Sequence, residues 1–148
     1  MNLSQHFTLA EMTASDYAER KGIDNTPAPD IIENLKRTAE KLEECRSLLG
    51  YPIHISSGFR CSKVNSAIGG KPTSSHVQGL AADIKCPQFG LPHEVCQKIA
   101  DSDIQFDQLI LEYATPDGKG WVHIGLGSKN RRQVLTINNY GTFSGIKL

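Results

Sequence analysis

Apolar positions along the chain recur with two periods, and these divide it into helices and strands. Between residues 29 and 49, Ile31, Ile32, Leu35, Ala39, Leu42 and Cys45 return every three to four residues with Lys and Glu between them, the pattern of an amphipathic helix with a solvated charged face. Pro29 suits a first helical position, and Gly50 follows as a stop. An earlier helix is expected over residues 9–20. Thr8 and Glu11 form a capping-box pair ahead of it, and Phe7 with Met12 fits a hydrophobic staple. GIDNTPAP, residues 22–29, reads as an irregular connector. Shorter helices are expected over residues 62–68, ending at Gly69-Gly70, and over residues 91–101.

The remaining apolar runs are short and strand-like: YPIHIS at 51–56, AADIKC at 81–86, FDQLILEY at 106–113 and WVHIGL at 121–126. Residues 71–80 read as a loop. ATPDGKG joins the last two runs, and its TPDG core is strong turn chemistry, with Pro at the first central position and Gly at the exit. An antiparallel hairpin follows, and QVLTINN at 133–139 adds a further strand. The expected fold is α+β: one domain over residues 1–148, with a mainly antiparallel sheet flanked by helices.

The hairpin fixes which residues share a face. With TPDG as the turn, Glu112 lies opposite Trp121; with a slip of two it lies opposite His123. Either register puts Glu112 on the His123 face with Gln108 and Ile110, because strand side chains alternate. A carboxylate inside LILEY is costly to bury without a partner. Glu112 is therefore a candidate general base, the alternative being a salt-bridged or edge-exposed side chain.

Composition narrows the classes. The chain has 148 residues, with 16 Lys plus Arg balancing 16 Asp plus Glu. That neutrality argues against a nucleic-acid binder, which normally carries a basic stripe. No apolar run approaches the ~18 residues of a transmembrane helix. The N-terminal MNLSQHFTLAEM has no basic segment followed by an apolar one. Synthesis in the cytoplasm without a secretory leader is the expectation, as is a monomer. The four cysteines, Cys45, Cys61, Cys86 and Cys96, include no CxxC pair and read as free, partly buried thiols.

Candidate chemistry lies in SSHVQGLAAD, residues 74–83, and WVHIGL. His76, Asp83 and His123 supply two imidazoles and one carboxylate, the three protein ligands of a catalytic zinc site with one position left open. Gly79 would permit a tight path between the first two. Each residue also has a structural reading: a hydrogen-bonded core histidine, or an Asp that caps a turn. Arg60 follows a strand in SSGFR and is placed to hold a carboxylate or a developing oxyanion, or to pair with an Asp. Ser74 binds substrate or turns its loop. His54 is expected to be packed, His93 exposed, and Tyr113 and Trp121 to be core or cleft wall.

These blocks, SGFR, KVNSAIGG, SSHVQGLAAD, FDQLILE and WVHIGL in that order, resemble the zinc D-alanyl-D-alanine carboxypeptidase family. The wider group takes in vancomycin-resistance D,D-dipeptidases, phage L-alanyl-D-glutamate endolysins and the hedgehog signalling domain. The family pattern SxHxxGxAxD with a later His is met by Ser74, His76, Gly79, Ala81, Asp83 and His123. The opening LSQHFTLAEMTASDYAERKGIDNTP resembles phage and prophage members. The resemblance implies Zn2+ on His76, Asp83 and His123, and Arg60 contacting the substrate and stabilising the transition state. It also implies a peptidoglycan stem-peptide substrate, cut by a carboxypeptidase or an endolysin-type endopeptidase after release to the cell wall or within a virion. Many members place a Glu or His base three residues before the final His. That position is Gly120 here, so the base is assigned to Glu112. The departure keeps a second expectation open, a non-catalytic zinc-containing wall-binding module of the same fold.

Overall fold

The computed structural model describes residues 1–148. The Thr8 capping box is present in full, with Thr8 accepting from the Glu11 N–H at 3.1 Å and Glu11 accepting from the Thr8 N–H at 3.1 Å. The helix it starts is shorter than expected: α1 spans Leu9–Thr13 and α2 spans Asp16–Lys21. Ala14 is extended between them, and Ser15 caps α2 by accepting from the Ala18 N–H. A second capping side chain in mid-pattern offers the backbone an alternative to a continuous helix. The Thr13 carbonyl is also drawn away, accepting from the Asn25 amide at 2.9 Å.

Helix α3, Pro29–Leu49, is as expected, starting at proline and ending on Gly50 in the left-handed region at φ 79°. Then come β1 (His54–Ser57), α4 (Ser62–Ala67), a 3-10 turn over Ser75–Gln78, β2 (Ala81–Lys85) and α5 (Pro92–Ala100). The 3-10 turn lies where a plain loop was expected. The C-terminal part holds β3 (Gln108–Glu112), β4 (Trp121–Gly125), β5 (Gln133–Asn138) and β6 (Gly141–Ser144). No helix is long and apolar enough to cross a membrane.

The six strands form one sheet in the order β1-β2-β4-β3-β5-β6. Every pair is antiparallel except β3 with β5. The hairpin takes the unslipped register, Glu112 opposite Trp121 and Ile110 opposite His123. Its turn closes with the Gly118 N–H donating to the Thr115 carbonyl at 3.1 Å. The sixth strand was not foreseen: GTFS is too short and polar to signal itself.

Alternation splits the sheet into two faces. Ala82, Ile84, Leu109, Leu111, Val122 and Ile124 point to one side and join the core with Leu35, Leu42, Val95 and Ile99 of α3 and α5. Asp83, His123, Ile110, Glu112 and Trp121, paired across β2, β4 and β3, share the other. One face is thus committed to packing and the other left for chemistry. The four cysteines are free, with Cys45, Cys86 and Cys96 buried and Cys61 partly so, and burial pushes the Cys45 and Cys96 thiols up to about 12. His54 is exposed rather than packed, at the start of a strand whose alternate residues face solvent. His93 is partly buried rather than exposed.

Candidate metal centre and cleft

His76 lies on the 3-10 turn, whose start Ser74 caps with its Oγ accepting from the His76 N–H at 3.3 Å. Gly79 ends the turn at φ 73°, and a Cβ there would lie 3.0 Å from both Ile31 Cγ2 and the Ile31 carbonyl oxygen. Glycine therefore serves both the left-handed turn and the close approach to α3. Helix α3 holds the turn through Asn34 Nδ2, donating to the Gln78 carbonyl at 2.9 Å, and Thr38 Oγ1, donating to the Gly79 carbonyl at 2.7 Å.

On its other side the turn meets the end of β1. The β1–β2 register slips between Ile55 and Ser57, a bulge that re-aims the chain beside the site. The Gly58 carbonyl lies 2.7 Å from His76 Nδ1. A carbonyl only accepts, so Nδ1 carries the proton, and on the neutral ring Nε2 presents a lone pair. That nitrogen is aimed at Asp83 Oδ1, 3.2 Å away.

Asp83 sits within β2 directly opposite His123 of β4. His123 Nδ1 lies 3.1 Å from the same Asp83 Oδ1. The two imidazoles meet edge to face with centroids 5.1 Å apart. Gly125 leaves room for the second ring, since a Cβ there would lie 3.2 Å from His123 Nε2. Burial would raise the Asp83 pKa, but hydrogen bonds from His123 and His76, together with their charges, outweigh it and hold the carboxyl well below the usual range. Asp83 stays ionised while buried.

A cleft of about 620 Å³ opens over these residues. Arg60, Ser74, Glu112, Tyr113 and Trp121 line it, with residues 14–17 of the α1–α2 corner along one rim. Burial pushes the Arg60 pKa down, against the charges of Asp83 and Glu112. Its Nε is buried without a hydrogen-bond partner, so the expected structural pairing with an Asp is not made through that atom. Burial raises the Glu112 pKa, the Asp83 charge adds to the rise, and His123, Trp121 and Arg60 oppose it. The Trp121 indole N–H lies across the hairpin from Glu112 without a hydrogen bond of ordinary geometry, and its influence on the carboxylate ranks below that of His123 and above that of Arg60.

The family model for Peptidase M15 matches residues 5–125. The chain belongs to the Peptidase M15 family. No curated protein matches it in sequence.

In this M15 chain the donor set fits a metal ion. The three ligand atoms lie within 4.8 Å of one another. A tetrahedral ion with bonds of about 2.0–2.1 Å spaces its ligands by roughly 3.3 Å, close to the two nitrogen–carboxylate distances. The protonated Nδ1 of His76 supplies the backbone anchor that metal-binding histidines commonly have. The His76 Nε2 lone pair and the Asp83 carboxylate oxygen are both acceptors, so a proton or a metal ion belongs between them.

Sequence reasoning singled out Arg60, Ser74, His76, Asp83, Glu112 and His123, and in the structure all six line one cleft. It missed Asn25 and Gly58. Asn25 Nδ2 donates to the Thr13 and Phe59 carbonyls at 2.9 and 3.2 Å, and its Oδ1 accepts from the Cys61 N–H at 2.8 Å. It thus ties down the backbone on both sides of Arg60. The signal was faint: an Asn in a connector usually reads as a turn residue.

Proposed function

We propose that the chain is a zinc-dependent peptidase acting on peptidoglycan stem peptides. The observation that carries this reading is the convergence of His76 Nε2 and His123 Nδ1 on Asp83 Oδ1 at a cleft that also holds Glu112 and Arg60. When bound by these three residues, zinc supplies a Lewis acid that makes water acidic near pH 7 and polarises a carbonyl. Glu112 accepts the proton of the attacking water and returns it to the leaving amine; its raised pKa brings it nearer neutrality, where such an exchange is efficient. Arg60 offers a guanidinium whose buried Nε has no hydrogen-bond partner, suited to a substrate carboxylate or a developing oxyanion. Ser74 holds the His76 turn and lines the cleft, where its hydroxyl can also meet substrate.

Two substrates fit the cleft chemistry. If Arg60 takes a terminal carboxylate, the enzyme removes D-alanine as a carboxypeptidase. If the chain runs on past the cut, it is an endopeptidase of the endolysin type, reaching the wall after release from the cell. Gly120, at the position that the resemblance would fill with a base, favours one further reading: a non-catalytic zinc module that binds wall peptides.

Digestion of purified peptidoglycan with the zinc-loaded protein, followed by mass spectrometry, separates these. Free D-alanine means a carboxypeptidase, and fragments cut after L-alanine or within a cross-link mean an endopeptidase. No product with one zinc per chain moves the reading to the non-catalytic module.

A further inference from the structure

One side chain reaches the cleft against the alternation of its strand. In β3, Leu109 and Leu111 enter the core while Ile110 and Glu112 face the site. Residue 113 would continue the core row. Tyr113 instead takes a left-handed backbone at φ 52°, and its ring lies in the cleft against Trp121, centroids 5.6 Å apart and planes tilted by 41°. Ala114 packs against the core in its place. The ladder to β5 survives the twist, with the Tyr113 N–H donating to the Ile137 carbonyl at 2.8 Å.

A bulky aromatic rarely adopts this backbone, and it persists only where the surroundings hold it. Here they hold a residue that is 43% exposed. A tyrosine kept out of the core, in an unfavourable conformation, beside the base of the cleft, is explained poorly by packing and well by recognition.

We propose that Tyr113, resting on Trp121, is a substrate-positioning platform: it packs against the peptide next to the scissile bond and sets its affinity. The proposal rests on the peptidase reading. Aromatic surface of this kind gives a binding peptide large contact area for few frozen rotors. Consecutive residues then divide the task, with Glu112 handling the proton and Tyr113 the position of the bond that receives it.

Trp121 is the only tryptophan of the chain, so its fluorescence reports on the platform. The test is a titration of the zinc-loaded Glu112→Gln protein with the synthetic pentapeptide L-Ala-γ-D-Glu-L-Lys-D-Ala-D-Ala, reading the midpoint. Adding Tyr113→Ala is expected to raise Kd about tenfold with zinc content unchanged, while Tyr113→Phe stays within about twofold. Tyr113→Gly, which relieves the backbone, is expected to lose the same affinity with Tm held or raised. An unchanged Kd in Tyr113→Ala, with the parent binding, overturns the platform alone. So does a Tm that falls in Tyr113→Gly in step with affinity, which marks a structural residue. A parent that neither binds the pentapeptide nor, with Glu112 intact, cleaves it overturns the peptidase reading and the platform with it.

Discussion

Gly120 lies hard against the main chain of Glu112: a Cβ on Gly120 would sit 2.5 Å from the Glu112 carbonyl oxygen and 2.6 Å from the Ala114 Cα. Gly120 is also left-handed, at φ 90°. The position where the resemblance would place a base is thus closed to any side chain by the hairpin's own backbone. The carboxylate comes instead from the neighbouring strand. Gly120→Ala should therefore destabilise the fold by about 2–4 kcal/mol, combining backbone strain with overpacking, as read by denaturant unfolding. Gly120→Glu placed in a Glu112→Gln chain should not restore activity.

Glu112→Gln keeps the shape of the side chain and removes its proton affinity. A fall in kcat of about 10²–10⁴-fold is expected, with one zinc per chain still found by metal analysis. Full activity in this variant would remove Glu112 from the mechanism.

The metal should stabilise the fold, because the folded chain alone brings the three ligands together. Zinc at a thousandfold excess over its Kd adds about 4 kcal/mol, visible as a rise in Tm that a chelator reverses. Asp83→Ala should abolish the rise. It should also lower the Tm of the zinc-free protein, since His76 and His123 both lose their carboxylate partner.

Asn25 should act on the site from outside the cleft. Asn25→Ala leaves the Cys61 N–H and the Thr13 and Phe59 carbonyls without this partner, at a cost of about 1–3 kcal/mol. Because the Phe59 and Cys61 groups flank Arg60, kcat/KM should fall while zinc content stays unchanged. Unaltered kinetics would show that Arg60 is positioned without Asn25.

Asp107 and Arg131 should show in the pH dependence of stability. Arg131 Nε and Nη2 donate to the two Asp107 oxygens at 2.9 and 3.0 Å, and the Arg131 side chain is the main cause of the lowered Asp107 pKa. A depressed folded pKa means stabilisation that is complete above the unfolded value, about 3.9, and is lost as pH falls through the folded one. Asp107→Asn should melt below the parent at pH 7, and the gap should close as pH falls through the lowered Asp107 pKa, below the usual carboxylate range.

Local chemistry made much of this legible. Thr8 with Glu11, Pro29 with Gly50, and TPDG each fix a few neighbouring residues, so the first helix starts, the long helix starts and stops, and the hairpin turns where the sequence places them. The hairpin register then put Glu112 on the His123 face. The α1–α2 break escaped because Ser15 sits where the apolar period runs on unbroken. The parallel pairing of β3 with β5 escaped because it joins segments separated by β4, and periodicity carries no information about partners. Tyr113 read as core or wall because alternation is an average rule; only the backbone angle shows which face it took.

Strands β5 and β6 lie beyond residue 125, where the family match ends. Strand β5 covers the flank of β3 that β4 leaves open. A chain stopped after Gly125 would keep His76, Asp83, His123, Arg60, Glu112 and Tyr113. It would also bare a row of unpaired amides and carbonyls along a strand rich in leucine and isoleucine, a template on which a second chain can stack. The last two strands therefore act as a guard against self-association, and the expected mark of their loss is a protein that clumps while still carrying all its zinc ligands.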